Sequence, residues 1–250
     1  MITWESRPEL DLRDCIQSYF YYRIGVDEIK YFDIFPDGHF CLIINVKGDR
    51  IVDKRLTGIW TQTASISYHE AEEVLGISFH PIAIRGLFKS SLKNLLDSSI
   101  FIPSLSAFNL DENVLLKNLG DQPEVTHYLN EQFSALTANK QYDPRLKKCF
   151  ELVNDSSGGF SVKEISQKIG LSTRQLNRLV TDMIGIGLKE YAKIIRLKKA
   201  LVCLKKGRTF WPYYYDQAHF IRELKRYTSA RPSDLDLNND DRFIQYYYFG

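Results

Sequence analysis

Leu171-Ser172-Thr173-Arg174-Gln175-Leu176-Asn177-Arg178-Leu179 and Asp216-Gln217-Ala218-His219-Phe220-Ile221-Arg222-Glu223-Leu224-Lys225-Arg226 each read as a short amphipathic helix. Each opens on a residue whose side chain can accept from a first-turn amide, Ser172 or Asp216. Apolar residues recur at helical spacing on one side, and Arg, Lys, Asn, Gln and His load the other. A helix of that composition suits a DNA major groove, so the pair implies a unit that reads duplex.

The residues around the first segment support it. Ser161-Val162-Lys163-Glu164 is a capping box, Val162, Ile165 and Ile169 supply a buried face, and Gly170 offers the left-handed residue that ends a helix. Ser172 to Gln175 is a second capping box, so helix, Gly-containing turn and second helix follow in the helix-turn-helix order. In the second helix Leu176, Leu179, Val180 and Met183 point inward, which leaves Thr173, Arg174, Asn177 and Arg178 outward. Arg can bond guanine O6 and N7 bidentately, and Asn or Gln can do so with adenine. Residues nearest the helix N-terminus reach deepest, so Arg178 and more distal charges fall to phosphates, which position without specifying. Leu188 to Lys206 reads as one long helix; at 1.5 Å per residue it spans about 28 Å. A spacer of that length can set two reading helices near the roughly 34 Å of one DNA turn.

Charge is divided in the same way. The 250 residues carry a net +2, yet residues 160–235 hold 16 Lys and Arg against 6 Asp and Glu, a surplus of ten that leaves the rest at −8. A basic block beside an acidic one implies a nucleic-acid module joined to something else. The four cysteines, Cys15, Cys41, Cys149 and Cys203, show neither disulfide nor zinc spacing and are expected as buried thiols. With no signal-peptide pattern and no apolar run of membrane-spanning length, a soluble cytoplasmic protein with no membrane partner is expected.

The first hundred residues favour short strands, clearest at Tyr19–Ile24, Tyr31–Phe35, Phe40–Val46 and Val74–Phe79. Pro36-Asp37-Gly38 predicts a hairpin between two of them. The expected class is α+β: an N-terminal antiparallel β-barrel or sandwich, cupin-like, with helices, then an all-α double helix-turn-helix domain. Leu87, Phe88, Leu92, Leu95 and Leu96 predict helix, as do Val125, Tyr128, Leu129, Gln132 and Leu136. These stripes can pack on the barrel or form a dimer seam, with the core reading favoured. The polar stretch Ala138–Gln141 before Asp143-Pro144, an N-cap followed by proline, marks the domain boundary. The expected domains are residues 1–140, 143–236 and a tail, 237–250.

The C-terminal segments resemble the AraC/XylS family of bacterial transcription regulators, whose DNA-binding unit joins two helix-turn-helix motifs by a long helix. The resemblance covers about residues 143 to 236. Its most specific string runs from Tyr214 to Tyr227 and is followed by Pro232; Leu171–Leu179 and Gly185–Tyr191 look like the matching part of the first motif. Carried over by position, the resemblance implies that Thr173, Arg174 and Asn177 meet bases in one groove and Gln217, His219 and Arg222 in the next. Arg178 and Arg226 complete the DNA-binding set, and Phe220 and Leu224 are core. The N-terminal half looks like a β-rich domain of unknown function that often precedes this unit, through Phe35–Gly38, Gly76–Pro81 and the stretch after it. By analogy it is a sensor, a dimerisation module or both, so double-stranded DNA, a small-molecule effector and a second copy of the chain are the implied partners, with no cofactor.

The family pattern is broken in three places. Phe210-Trp211-Pro212-Tyr213 stands where a scaffold helix of the second motif is usual, about five residues short and more than one helical turn, with Pro212 disfavouring helix at Trp211. Leu188 replaces the usual proline after the first motif. The tail after Leu237 matches nothing in the family. The shortened motif keeps a second reading open: a sensor or interaction protein whose DNA-binding half is impaired.

Enzyme signatures fail in detail. His69-Glu70-Ala71-Glu72-Glu73 lacks the second histidine of HExxH. A metal held by His39, His69 and His80 would lack the clustered His-x-His and Glu of cupin enzymes, and neither a phosphate loop nor a GxSxG elbow occurs. No catalytic residue and no metal ligand is expected.

Overall fold

Alternation builds the sheet. Along β4 (Phe40–Lys47), Phe40, Leu42 and Ile44 are buried, while Cys41 and Ile43 are half-buried between them, the period of two that a strand imposes. The computed structural model describes residues 3–24, 31–67, 72–88, 90–138, 142–206 and 213–229. The end of the polar boundary stretch, His69, the shortened segment 207–212, Pro232 and the tail lie outside them.

Eight strands are described: β1 (Thr3–Ser6), β2 (Ile16–Arg23), β3 (Tyr31–Ile34), β4, β5 (Arg50–Thr57), β6 (Ala64–Ser67), β7 (Glu73–Phe79) and β8 (Ser99–Phe101). Six form an antiparallel sheet in the order β1-β2-β7-β4-β5-β8, and β3 pairs with β6 as a separate ribbon. The strands expected from sequence are present, but the barrel is not closed: β1 and β8 are opposite edges of the sheet, and β3–β6 stands apart rather than bridging them. The hairpin expected at Pro36–Gly38 is also absent. Both sides of β4 are taken, by β5 and β7, so the turn carries the chain from ribbon to sheet. A local turn signal fixes a bend, not which strands pair. Gly38 is needed there: its φ is +79°, and a Cβ would lie 2.7 Å from Ile195.

One face of the sheet, built from the rows Trp4, Tyr21, Leu75, Ile44 and Tyr19, Ile77, Leu42, Leu56, carries the core. α3 (Gln122–Thr137) covers it, with Tyr19 stacked on Phe133 at 6.3 Å and donating to Asn130 at 3.1 Å. On the other face Ser18, Ser78 and Cys41 form a row of small polar groups. The stripe Leu87 to Leu96 is not one helix. α1 (Ala83–Phe88) ends, and a single 3₁₀ turn follows at Lys93–Leu95. The Ser91 hydroxyl accepts the Lys93 amide, a local bond that competes with helix. α2 (Glu112–Asn118) precedes α3.

The remaining helices are α4 (Pro144–Asp155), α5 (Val162–Ile169), α6 (Thr173–Ile184), α7 (Leu188–Lys205) and α8 (Gln217–Thr228). Asp143 caps α4 with Pro144 at its first position, and Ser157 and Gly158 turn left-handed after it. Cys15 and Cys149 are buried as expected, whereas Cys41 and Cys203 are half-buried; all four are free. No helix among the described residues is long and apolar enough to cross a membrane.

Candidate nucleic-acid interface

α5 and α6 are each opened by a complete capping box. Ser161 accepts the Glu164 amide while Glu164 accepts the Ser161 amide, and Ser172 and Gln175 repeat the exchange. Gly170, at φ +70°, makes the turn between them. Below that turn Ile165, Leu176, Val180 and Met183 are fully buried. Burial of that stripe fixes which side of α6 remains outside: Thr173, Arg174 and Arg178 are exposed and Asn177 is half-buried. Among the described residues Arg174 and Arg178 form no ion pair, and nothing from the sheet covers them.

α7 follows through a corner containing Gly185 and Gly187, and its first residue, Leu188, is completely buried. Its eighteen residues span about 27 Å. Tyr191, Ile194, Ile195 and Leu201 are buried, as the apolar spacing requires, and so is Lys198.

α8 is capped by Asp216, which accepts the His219 amide at 2.6 Å; its Phe220 and Leu224 are buried as expected, and so is Tyr227. Gln217 and Arg222 are exposed. His219 and Arg226 are engaged within the chain: His219 Nε2 lies 3.8 Å from Glu223 and Arg226 pairs with Glu190 at 3.1 Å. Two further polar clamps hold α8 to α7. Arg196 donates to both oxygens of Glu223, at 2.9 and 3.2 Å, and Tyr227 donates to Glu190 at 2.6 Å. Tyr214 lies under this contact, its ring 5.3 Å from the Arg196 guanidinium and 5.2 Å from Phe220. The second candidate helix is therefore supported by α7, whatever residues 207–212 do.

Lys198 is a residue that the sequence alone does not single out. It occupies the apolar stripe, one turn after Ile194 and before Leu201, and that position was the available signal. Its ammonium meets the turn before β4, where Asp37 accepts the His39 amide at 3.0 Å and faces the His39 ring at 3.1 Å. Burial pushes the Lys198 ammonium down to about 8, partly offset by Asp37. Burial alone would raise Asp37, but His39 and the Lys198 charge outweigh it and hold its carboxyl below the usual range. Burial also lowers His39, and lowers His80 further, its ring 5.0 Å from that of His39. Among the described residues no group of three or more His, Cys, Asp or Glu side chains is placed to hold a metal.

Comparison with known proteins adds one family and a distant likeness. Residues 5–101 match the family described as "Domain of unknown function (DUF6597)". The match falls in the N-terminal half, where the resemblance expects a domain of unknown function. No curated protein matches the chain. The chain is similar to the crystal structure of an apo ToxT variant from Vibrio cholerae strain SCE256, at 12% identity and TM-score 0.49 over 86% of this chain and 95% of that one. It is also similar to a second structure of ToxT from Vibrio cholerae, at 14% identity and TM-score 0.46 over 93% and 95%. Likeness at that level carries no functional conclusion to this chain.

Proposed function

We propose that the chain is a sequence-specific DNA-binding transcription regulator of the AraC/XylS type, and not an enzyme. Residues 143–236 form the DNA-binding domain, α5–α6 its first helix-turn-helix and α8 its second reading helix. Residues 1–140 form a sensor or dimerisation domain. The observation that carries this reading is the orientation of α6: its apolar side is fully buried while Thr173, Arg174 and Arg178 stand exposed beyond a capped N-terminus. The charge surplus of residues 160–235 supplies the phosphate attraction that such a helix needs.

The two helices contribute unequally. Thr173, Arg174 and Asn177 read bases and Arg178 holds phosphate. On α8, Gln217 and Arg222 are offered to the next groove, while His219 and Arg226 first meet Glu223 and Glu190. That engagement favours the second reading, a sensor or interaction protein with an impaired DNA-binding half, for α8 alone. A small-molecule effector or a second copy of the chain acts through residues 1–140, in the cytoplasm.

A gel-shift titration separates the readings. The full chain is titrated at two salt concentrations against the region upstream of its own gene and against random duplex of equal length. The regulator prefers the upstream region, and its affinity falls steeply with salt as neutralised phosphates release counterions. Equal affinity for both duplexes overturns the proposal and leaves the impaired form.

A further inference from the structure

The last four carbonyls of an α-helix have no partner inside it. At the end of α6 the Gly185 amide takes the Thr181 carbonyl. The next two are taken from the N-terminal half: the Ser91 hydroxyl donates to Asp182 at 2.6 Å and to Met183 at 3.3 Å, and the Leu92 amide donates to Met183 at 2.8 Å. α8 ends in the same manner. Ser229 takes the Lys225 carbonyl, and Tyr227 accepts both the amide and the hydroxyl of Thr63, at 2.9 and 3.0 Å.

The two donor segments are themselves joined. The Gly58 amide donates to Ser98 at 2.9 Å and the Asp97 amide to Ile59 at 3.0 Å. Asp97 accepts from the amide of Thr61 and, at 2.7 Å, from its hydroxyl. No gap separates them: a Cβ on Gly58 would lie 1.8 Å from the Leu95 carbonyl oxygen. The exit of α6 rests on the same unit, with Gly185 against Lys93 and Leu96.

We infer that residues 58–63 and 91–98 form a brace that fixes the separation and relative tilt of α6 and α8, and with them the spacing between the two duplex half-sites one chain accepts. This rests on the reading of α6 and α8 as DNA-reading helices. α7 alone leaves that geometry loose at one end. The α6–α7 corner has two glycines, which keep more backbone freedom than other residues, and the Gly187 N-cap has no side chain to close the first turn. Spacing matters because each added base pair moves a half-site about 3.4 Å along and roughly 34° around the duplex axis. Thr63, Ser91 and Asp97 are positioning residues: they touch no DNA and act through the helix ends they hold.

The test uses the full chain and half-sites selected by it from a randomised duplex library. Two selected half-sites are placed in duplexes whose centre-to-centre spacing is stepped one base pair at a time through about one helical turn. The wild-type chain gives a sharp affinity optimum. Ser91→Ala and Asp97→Gly each flatten it, lowering the ratio of best to worst spacing by about fivefold or more, while affinity for a single half-site stays unchanged. Asp97→Gly suits the position because Asp97 has a φ of +52°, which glycine adopts without strain. Asp97→Asn, which keeps an acceptor, restores the optimum. In parallel, hydrogen exchange at the Thr63 and Leu92 amides quickens in Asp97→Gly with the urea midpoint of the whole chain retained. An unchanged spacing profile in both variants overturns the brace while the DNA reading stands; a wild-type chain that selects no sequence overturns the DNA reading, and the spacing inference with it.

Discussion

Nζ of Lys198, in the middle of α7, lies 3.2 Å from Nδ1 of His39, in the turn that enters β4. Asp37 Oδ2 lies 3.1 Å from the same nitrogen. A neutral imidazole nitrogen either donates or accepts, so at any moment Nδ1 bonds Lys198 or Asp37, not both. The helix between the two candidate reading helices thereby meets the N-terminal half through a buried cation, an imidazole and a buried carboxylate.

The sign of the pH dependence follows. His39 and His80 are held below their ordinary value in the folded chain, whereas the unfolded chain takes up those protons at about 6.5. Stability therefore falls as pH drops through about 6.5, by up to ~1.4 kcal/mol per pH unit for each histidine. Lys198, near 8 when folded, acts in the other window: stability rises between about pH 8 and 10.5 because only the unfolded chain keeps that proton. Lys198→Met leaves Asp37 buried without its cation and costs about 3 kcal/mol or more at pH 7. Its loss between pH 7 and 5 shrinks, because His39 then takes a proton beside Asp37. Urea denaturation at five pH values reads both effects, and an identical acid slope in the variant contradicts this account.

Arg174 and Arg178 stand one turn apart on the exposed side of α6, yet they should fail differently. Arg174→Ala relaxes sequence preference, costing about 1–3 kcal/mol on the selected duplex and little on random duplex. Arg178→Ala weakens both duplexes alike and lowers the salt slope by about one. Competition titrations with the two duplexes decide it; a uniform loss for Arg174→Ala assigns that residue to phosphate.

Glu223 is 8% exposed and bonds Arg196 through both oxygens. Glu223→Ala leaves the Arg196 charge in the α7–α8 contact and should cost about 3 kcal/mol or more. The double variant Arg196→Met, Glu223→Leu removes both charges and should recover most of that loss. Urea midpoints of the two single variants and the double variant measure the coupling. A double variant as weak as Glu223→Ala shows that packing under Tyr214, rather than the ion pair, holds α8.

Local rules were legible where the physics is local. The capping boxes at Ser161 and Ser172, the left-handed Gly170 and the buried faces of α6 and α8 all follow from spacing within one or two turns. Pro36–Gly38 shows the limit. The turn forms as its residues require, but the strands it joins pair elsewhere, because strand pairing depends on partners from Arg50–Thr57 and Glu73–Phe79. The stripe from Leu87 to Leu96 fails for a related reason: Ser91 bonds the end of α6, 91 residues away, and no helix continues through it.

The sequence by itself determined the elements and their sidedness, since caps, turn residues and apolar period act between neighbours along the chain. It also marked Thr173, Arg174 and Arg178 as outward-facing before any partner was placed. Only the tertiary structure decided that the sheet stays open, that Lys198 is buried against His39, and that Thr63 and Ser91 hold the ends of α8 and α6. Those outcomes turn on desolvation and on carbonyls satisfied from segments far away along the chain, and neither leaves a periodic trace in it.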